Sequence, residues 1–187
     1  PKALRELGHD VRLMMPRYGT INSDSFELEK IGEPFRVPAG AGKEYVHLIG
    51  TTMGDVPVYL LWNEHYFTSR EKVYGFEDDA QRFALFGRGV LGALKLLDWQ
   101  PDVIHANDWH TAVVPTWLDV AGWRDPFFRQ IATLFTIHNL AYQGITGRLI
   151  LRFAQMDDLQ HLPVEPPGAV NWMAQAVAHS DLINTVS

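Results

Sequence analysis

The sequence has no cysteine, which removes disulfides and thiolate metal sites from consideration and suits a reducing compartment. It lacks any uninterrupted apolar run near the roughly 20 residues that a membrane-spanning helix requires, and no charged-then-apolar leader opens it. Positive charge is scarce and scattered: 16 Lys and Arg stand against 22 Asp and Glu, for a net charge of −6. No basic run could follow a phosphate backbone, so nucleic acid is not an expected partner. Internal repeats and low-complexity tracts are absent too. What remains reads as an ordinary cytoplasmic globular chain of 187 residues, 47% hydrophobic and 20% charged, long enough for one sizeable core. It opens on Pro1 and closes on the strand-like run from Asp181 to Ser187, so the expectation is a segment of something longer.

In chain order, Pro1 to Leu7 reads as a short helix with Leu4 and Leu7 on one side, ended by Gly8. Residues 8–15 read as a buried strand closed by Pro16, the second strand of a βαβ unit whose first strand would lie upstream. Residues 17–42 look irregular, apart from possible strands near 26–31 and 35–37. The β-rich runs 44–49 and 56–62 frame a hairpin, and 63–75 should be loop. Three acids, Glu77 to Asp79, then open a long helix over 80–97, where they suit the positive end of the helix dipole. Phe83, Phe86, Val90, Leu94 and Leu97 give that helix one buried face. Gly87, Gly89 and Gly92 inside it each cost about 1 kcal/mol against Ala, which close packing would repay. Beyond Pro101 the pattern predicts a strand to His105, a helix from Trp109 to Val120 and a strand from Ile131 to Ile137. An excursion over 140–168, a helix over 169–178 and a last strand complete the chain. This alternation predicts an α/β fold: a Rossmann-like, doubly wound, mainly parallel sheet, with the strands ending at Met15, His105, Ile137 and Val186 side by side.

Ligands in such sheets gather beyond the carboxyl ends of the strands, which makes Asp108, His110, His138 and Asn139 candidates for one rim. Each has a plainer reading. His105 closes an apolar strand and fits a hydrogen-bonded core residue better than a ligand. Asp108 could simply cap the helix that follows. His110 could be a first-turn surface histidine, and Asn139 a turn former. The string His105-Ala-Asn-Asp-Trp-His110 superficially resembles a two-metal hydrolase sequence of the His-x-His-x-Asp-His kind. Asn107 stands where the second His is needed and Asp108 comes one place early, so no metal is expected. Spacing alone reaches a polar-ligand rim on a Rossmann-like domain.

Pro101-Asp-Val-Ile-His-Ala-Asn-Asp-Trp-His-Thr-Ala112 and Phe135-Thr-Ile-His-Asn-Leu-Ala-Tyr-Gln-Gly144 take the reading further. They resemble the N-terminal domain of bacterial glycogen synthases and plant starch synthases, retaining glucosyltransferases with two Rossmann domains (the GT-B fold). Leu4 to Arg12, Tyr74 to Ala84 and Asn184 to Ser187 agree in the same order, so the similarity runs through nearly the whole chain. The resemblance implies that residues 1–187 are the N-terminal, acceptor-side half of a GT-B enzyme, with the first strand missing, truncated at both ends and without the C-terminal nucleotide-binding domain. It further implies transfer of glucose from a nucleoside-diphosphate glucose, ADP-glucose or UDP-glucose, to the non-reducing end of an α-1,4-glucan. The donor is a substrate, and no cofactor is implied.

Residue by residue, the resemblance puts His138 at the donor glucose with Asn139 beside it, and Asp108 on the acceptor side, these being the implied catalytic pair His138 and Asp108. His110, Tyr142 and Gln143 follow as substrate-binding candidates. Two positions depart from the family pattern: Asn107, where bacterial members carry His and plant members Asn, and Ala174, where many carry Lys. The segment alone is expected to be inactive, because the charges that bind the diphosphate belong to the other half. The location implied is the cytoplasm of a bacterium or the stroma of a plastid. Two other classes stay open, a catalytically idle glucan-binding relative and a Rossmann-type nucleotide-dependent oxidoreductase. The second is disfavoured because no Gly-x-Gly-x-x-Gly follows any strand.

Overall fold

Pro115 decides where the central helix of this chain can begin. A continuous helix from Trp109 would place the proline ring against the carbonyl of Thr111, four residues back, and break the ladder there. In the computed structural model, which describes residues 1–157 and 167–186, the segment divides accordingly. A single 3₁₀ turn covers Trp109–Thr111, and the α-helix runs only over Val113–Val120, with Pro115 in its first turn.

The elements in order are α1 (Lys2–Glu6), β1 (Leu13–Pro16), β2 (Glu29–Ala39), β3 (Gly42–Met53), β4 (Val56–Trp62), α2 (Asp79–Leu96), β5 (Val103–Asn107), α3 (Val113–Val120), β6 (Ala132–Ile137), β7 (Ile145–Gly147), α4 (Leu149–Phe153), β8 (Ala169–Asn171), α5 (Trp172–His179) and β9 (Leu182–Thr185). The chain groups into two compact units, one of residues 1–37 and 44–76, the other of residues 38–43 and 77–187. Among the described residues no helix is long and apolar enough to cross a membrane.

The first unit is built on a four-stranded sheet in the order β1-β4-β3-β2. β3 and β4 pair antiparallel across a turn at Gly54 and Asp55, so the expected hairpin forms, with its second strand as expected, a longer first strand and a tighter turn. The two possible strands in the preceding region are one, β2, which begins only at Glu29 and runs without a break through the second. Residues 63–75 are not all loop, since Glu64–Thr68 form a π-helical turn capped by Asn63, whose side chain accepts the Tyr66 N–H. The expectation that the strand ending at Met15 joins those ending at His105 and Ile137 is corrected by the pairing of β1. It runs parallel to β4, from Leu13 beside Val58 to Pro16 beside Leu61. Four residues are too short to dictate a partner, and β4 offers an apolar run whose backbone groups satisfy them.

The second unit carries a parallel sheet in the order β5-β6-β9. β6 is central, with Thr133, Phe135 and Thr136 buried. Its core joins Phe135 to Ala106, Val113, Trp172, Met173 and Ala176. The excursion after β6 contains β7 and α4, and β7 pairs antiparallel with β8; residues 158–166 and Ser187 of the expected excursion and last strand lie outside the described residues. The segment expected as one helix begins with β8. Asn171 then starts α5, its side-chain oxygen accepting the Ala174 N–H at 3.0 Å. With parallel pairs β1–β4, β5–β6 and β6–β9, the fold is α/β with mainly parallel pairing.

The α2 helix buries Phe83, Phe86, Val90 and Leu94, as its periodicity predicts. Gly87 accounts for its own cost: a Cβ there would lie 2.9 Å from Val113 Cβ on α3. Gly87→Ala should therefore lower stability by about 1 kcal/mol or more, because overpacking of roughly 1–3 kcal/mol outweighs the propensity gained. Urea unfolding of Gly87→Ala, Val113→Ala and the double variant measures this. The double variant should be less destabilised than the sum of the singles, and strict additivity would contradict the contact.

Candidate functional site at the ends of β5 and β6

Asn107 ends β5 and Ile137 ends β6, and both chains leave the sheet at the same edge. Asp108 follows Asn107 with φ 56° and ψ 175°, a region that L-residues rarely occupy. Holding a non-glycine residue there costs on the order of 1–3 kcal/mol unless its surroundings compensate. The compensation is visible. Asp108 Oδ1 accepts the backbone N–H of His138 at 2.7 Å and that of Asn139 at 3.3 Å. Asp108 makes no side-chain capping bond, so the capping reading is corrected: its carboxylate ties the turn after β5 to the turn after β6. The other oxygen, Oδ2, has no hydrogen-bond partner among the described residues.

His138 is exposed, and its Nε2 lies 3.0 Å from Asn107 Oδ1. Asn139 is exposed as well; its side-chain oxygen accepts the Ala141 N–H at 3.0 Å, which is the turn-forming use expected of an asparagine at a strand end. Its side-chain amide donors have no protein partner among the described residues. His110 is half-buried against two rings, tilted on Trp109 at 4.3 Å and edge-on to Phe83 at 4.5 Å between centroids. Its pKa is lowered by burial first and by Arg82 in addition, with Asp108 and Asp79 opposing. Tyr142 is 66% exposed, which leaves its ring face and hydroxyl available to a ligand. Gln143 is committed at both ends, Nε2 donating to the Leu140 carbonyl at 3.0 Å and Oε1 accepting from Asn171 Nδ2 at 2.7 Å. A ligand contact by Gln143 would compete with these bonds.

His105 is corrected from a core residue to an exposed one. It is hydrogen-bonded all the same, Nε2 lying 2.5 Å from Thr136 Oγ1 on the next strand. Partial burial of the ring, and then the proximity of His138, hold its pKa below the usual histidine range. Thr136 donates in turn to Asn184 Oδ1 on β9 at 2.5 Å.

Sequence reasoning passed over several contributors. Thr111 accepts the Asn107 N–H at 2.6 Å and reaches the carbonyls of Asn107 and Asp108 at 2.9 and 3.1 Å, fixing the turn that carries Asp108. Gly144, with φ 66°, lies against Trp109, where a Cβ would come within 2.4 Å of the indole. The neighbouring carbonyl of Gln143 accepts the Met173 N–H at 3.0 Å, which seats the loop on α5. The one signal in the sequence was Gly144 itself, a glycine closing a polar run.

Among the described residues, the rim therefore has the Asp108 Oδ2 and the His138 Nδ1 without a hydrogen-bond partner, together with the Asn139 amide donors and the exposed Tyr142 phenol. Such a set suits a neutral polyhydroxylated ligand, whose hydroxyls both donate and accept. Among the described residues, no group of three or more His, Asp or Glu is placed to hold a metal ion.

Comparison with known proteins is consistent with that geometry. The family model described as the starch synthase catalytic domain matches residues 1–187. The glycogen synthase of Geotalea uraniireducens is 39% identical over 194 residues, covering 100% of this chain and 40% of its own length. Glycogen synthase 2 of Geobacter sulfurreducens is 40% identical over 194 residues, with the same coverage of 100% and 40%. A solved structure, the catalytic domain of starch synthase IV from Arabidopsis thaliana bound to ADP and acarbose, superposes with a TM-score of 0.89 at 27% identity, covering 100% of this chain and 39% of that one. The chain thus spans about two fifths of the length of these relatives.

If the Asp108 carboxylate is what holds the turn after β6, Asp108→Ala should raise amide hydrogen exchange at His138 and Asn139 by about tenfold or more, while Thr133 and Phe135 stay protected. Asp108→Asn keeps an accepting oxygen and should preserve much of the protection. Exchange at His138 and Asn139 that is unchanged in Asp108→Ala would contradict the tie.

Proposed function

This chain belongs to the starch synthase catalytic domain family, and from that premise we propose that it forms the acceptor-side half of a retaining glucosyltransferase. The enzyme would pass glucose from ADP-glucose to the non-reducing end of an α-1,4-glucan in the cytoplasm or a plastid. The observation that carries the proposal is the Asp108 tie, which sets a spare carboxylate oxygen beside His138 and Asn139 at one sheet edge.

In such a transfer the bond from the sugar C1 to the diphosphate breaks, a bond from C1 to the acceptor oxygen forms, and the proton of the acceptor hydroxyl passes to the departing diphosphate. Charge builds at the leaving diphosphate and, with opposite sign, at C1. The rim at β5 and β6 supplies little positive charge, so the diphosphate is assigned to the C-terminal region that the longer relatives possess. The task left to this half is orientation. His138 and Asn139 hold hydroxyls of the donor sugar, Asp108 Oδ2 accepts from a hydroxyl of the acceptor and stabilises the cationic sugar centre, and Tyr142 and His110 bound the acceptor side. None of these roles calls for a metal. UDP-glucose would be handled identically by these residues, since the nucleotide is read elsewhere.

The test is steady-state transfer to glycogen by the full-length protein that contains this chain, with donor affinity measured separately by calorimetry. His138→Ala should lower kcat by about two orders of magnitude, the worth of roughly 3 kcal/mol for a lost orienting bond in the transition state. Asp108→Asn should lower kcat while leaving ADP-glucose affinity near its parental value, and His105→Gln should act mainly on stability. The chain alone should bind maltooligosaccharides weakly and transfer nothing. Full-length protein that binds glucan but never transfers would favour an idle glucan-binding relative, and near-parental kcat in His138→Ala would overturn these roles.

A further inference from the structure

Asn107 touches the rim but has no part in the roles above. Its backbone is clamped by Thr111, whose hydroxyl accepts the Asn107 N–H at 2.6 Å and lies 2.9 Å from the Asn107 carbonyl. Its side-chain amide is fixed in sense by its neighbours. Nδ2 lies 3.3 Å from the His105 carbonyl oxygen, which can only accept, so the nitrogen end of the amide must face it. The oxygen end is thereby turned to His138, with Oδ1 at 3.0 Å from Nε2. An amide oxygen cannot donate, so the imidazole nitrogen opposite it must carry the proton. The bond at one ring nitrogen determines which form the other presents.

We propose that Asn107 is a positioning residue that locks His138 in the Nε2–H tautomer, so that the neutral ring presents Nδ1 as a hydrogen-bond acceptor to a hydroxyl of the bound sugar. The tautomer assignment stands on the geometry alone; the identity of the hydroxyl rests on the function proposed above. Locking matters because a neutral histidine in the other tautomer would meet the same hydroxyl with a donor. A ring free to exchange would also spend part of its time in the wrong form, and a wrong tautomer disables an otherwise intact catalytic histidine. No partner for Nδ1 exists among the described residues, which leaves that nitrogen for ligand. The backbone N–H of His138 is meanwhile held by Asp108 at 2.7 Å, so the ring pivots from a fixed root.

Nitrogen-15 NMR of the full chain, labelled at histidine, reads the tautomer directly from which ring nitrogen carries the proton. The His138 signals are assigned by their loss in His138→Gln. In the parental chain above the imidazole titration, His138 should be predominantly Nε2–H. Asn107→Ala should bring the two tautomers into exchange, whereas Asn107→Asp, which keeps an acceptor at that place, should restore Nε2–H. In the full-length enzyme Asn107→Ala should lower kcat by about tenfold with little change in the donor KM, since one bond orienting the sugar is weakened while the nucleotide and diphosphate are held by the other half, and Asn107→Asp should recover part of it. A parental spectrum with the proton on Nδ1, or tautomer populations unchanged in folded Asn107→Ala, would overturn the proposal, the first of these even if the alanine variant fails to fold. Should the tautomer result hold while His138→Ala remains fully active, the assignment to Asn107 stands and the functional reading fails.

Discussion

The Asp108 carboxylate is the constraint on which the rim depends. Two strands end side by side, and nothing in sheet pairing dictates how their following turns meet; a single oxygen accepting the amides of His138 and Asn139 does. Bonds from backbone N–H groups to an ionised carboxylate are worth roughly 1.5–3 kcal/mol each, enough for the pair to offset the roughly 1–3 kcal/mol of a non-glycine residue at positive φ. The strained backbone and the tie are therefore one device. Glycine at 108 would relax the backbone and lose the tie, and asparagine would keep the tie and lose the charge. A carboxylate is the residue type that gives both a held turn and a remaining anionic oxygen.

Behind that edge, β6 is fastened to its neighbours by side chains as well as by its ladder. Thr133 donates from N–H and hydroxyl to Asp181 Oδ2, at 2.7 and 2.9 Å, where β9 begins. Thr136 stands between His105 and Asn184, at 2.5 Å from each. A hydroxyl has one proton; since Thr136 gives it to Asn184, the His105 ring must donate from Nε2. His105 on β5 and His138 just beyond β6 thus both turn protonated Nε2 atoms toward protein acceptors. The first serves the sheet, and the second leaves its remaining nitrogen to solvent or ligand. The buried threonines of β6 look like weak points in an apolar strand, yet each is satisfied, as buried hydroxyls must be.

Much of this was legible in the sequence because it was periodic or contiguous. The α2 face, the strand to Ile137 and the placement of both polar motifs beyond strand ends follow from patterns within a few residues of one another. What was not legible depends on partners remote in the chain. Nothing near Asp108 signals that its oxygen will meet amides 30 residues later, and capping is the locally available use for an aspartate ahead of a helix. The proline that breaks that helix was visible, but its consequence for Asp108 required the turn geometry. β1 found its partner in β4, a choice that four residues cannot encode. Gln143 shows the same limit: a glutamine in a polar motif reads as a ligand contact, and only the fold reveals Asn171 28 residues on, ready to occupy it.

The division of labour within the motif after β6 follows from these commitments. Gln143 braces the loop through Leu140 and Asn171, and Gly144 presses it onto Trp109, where no larger residue could approach so closely. Trp109 in turn stacks on His110 and meets Phe83 edge-on at 5.3 Å, so the loop is seated on a ring cluster rooted in α2. A loop fixed at both Asn139 and Gly144 leaves little freedom for Tyr142 between them, which is nevertheless 66% exposed. The bracing orders the backbone that carries the ring during folding, while the ring itself stays in water. The buried and bonded members of the motif thus set the geometry, and His138, Asn139 and Tyr142 are the members left exposed.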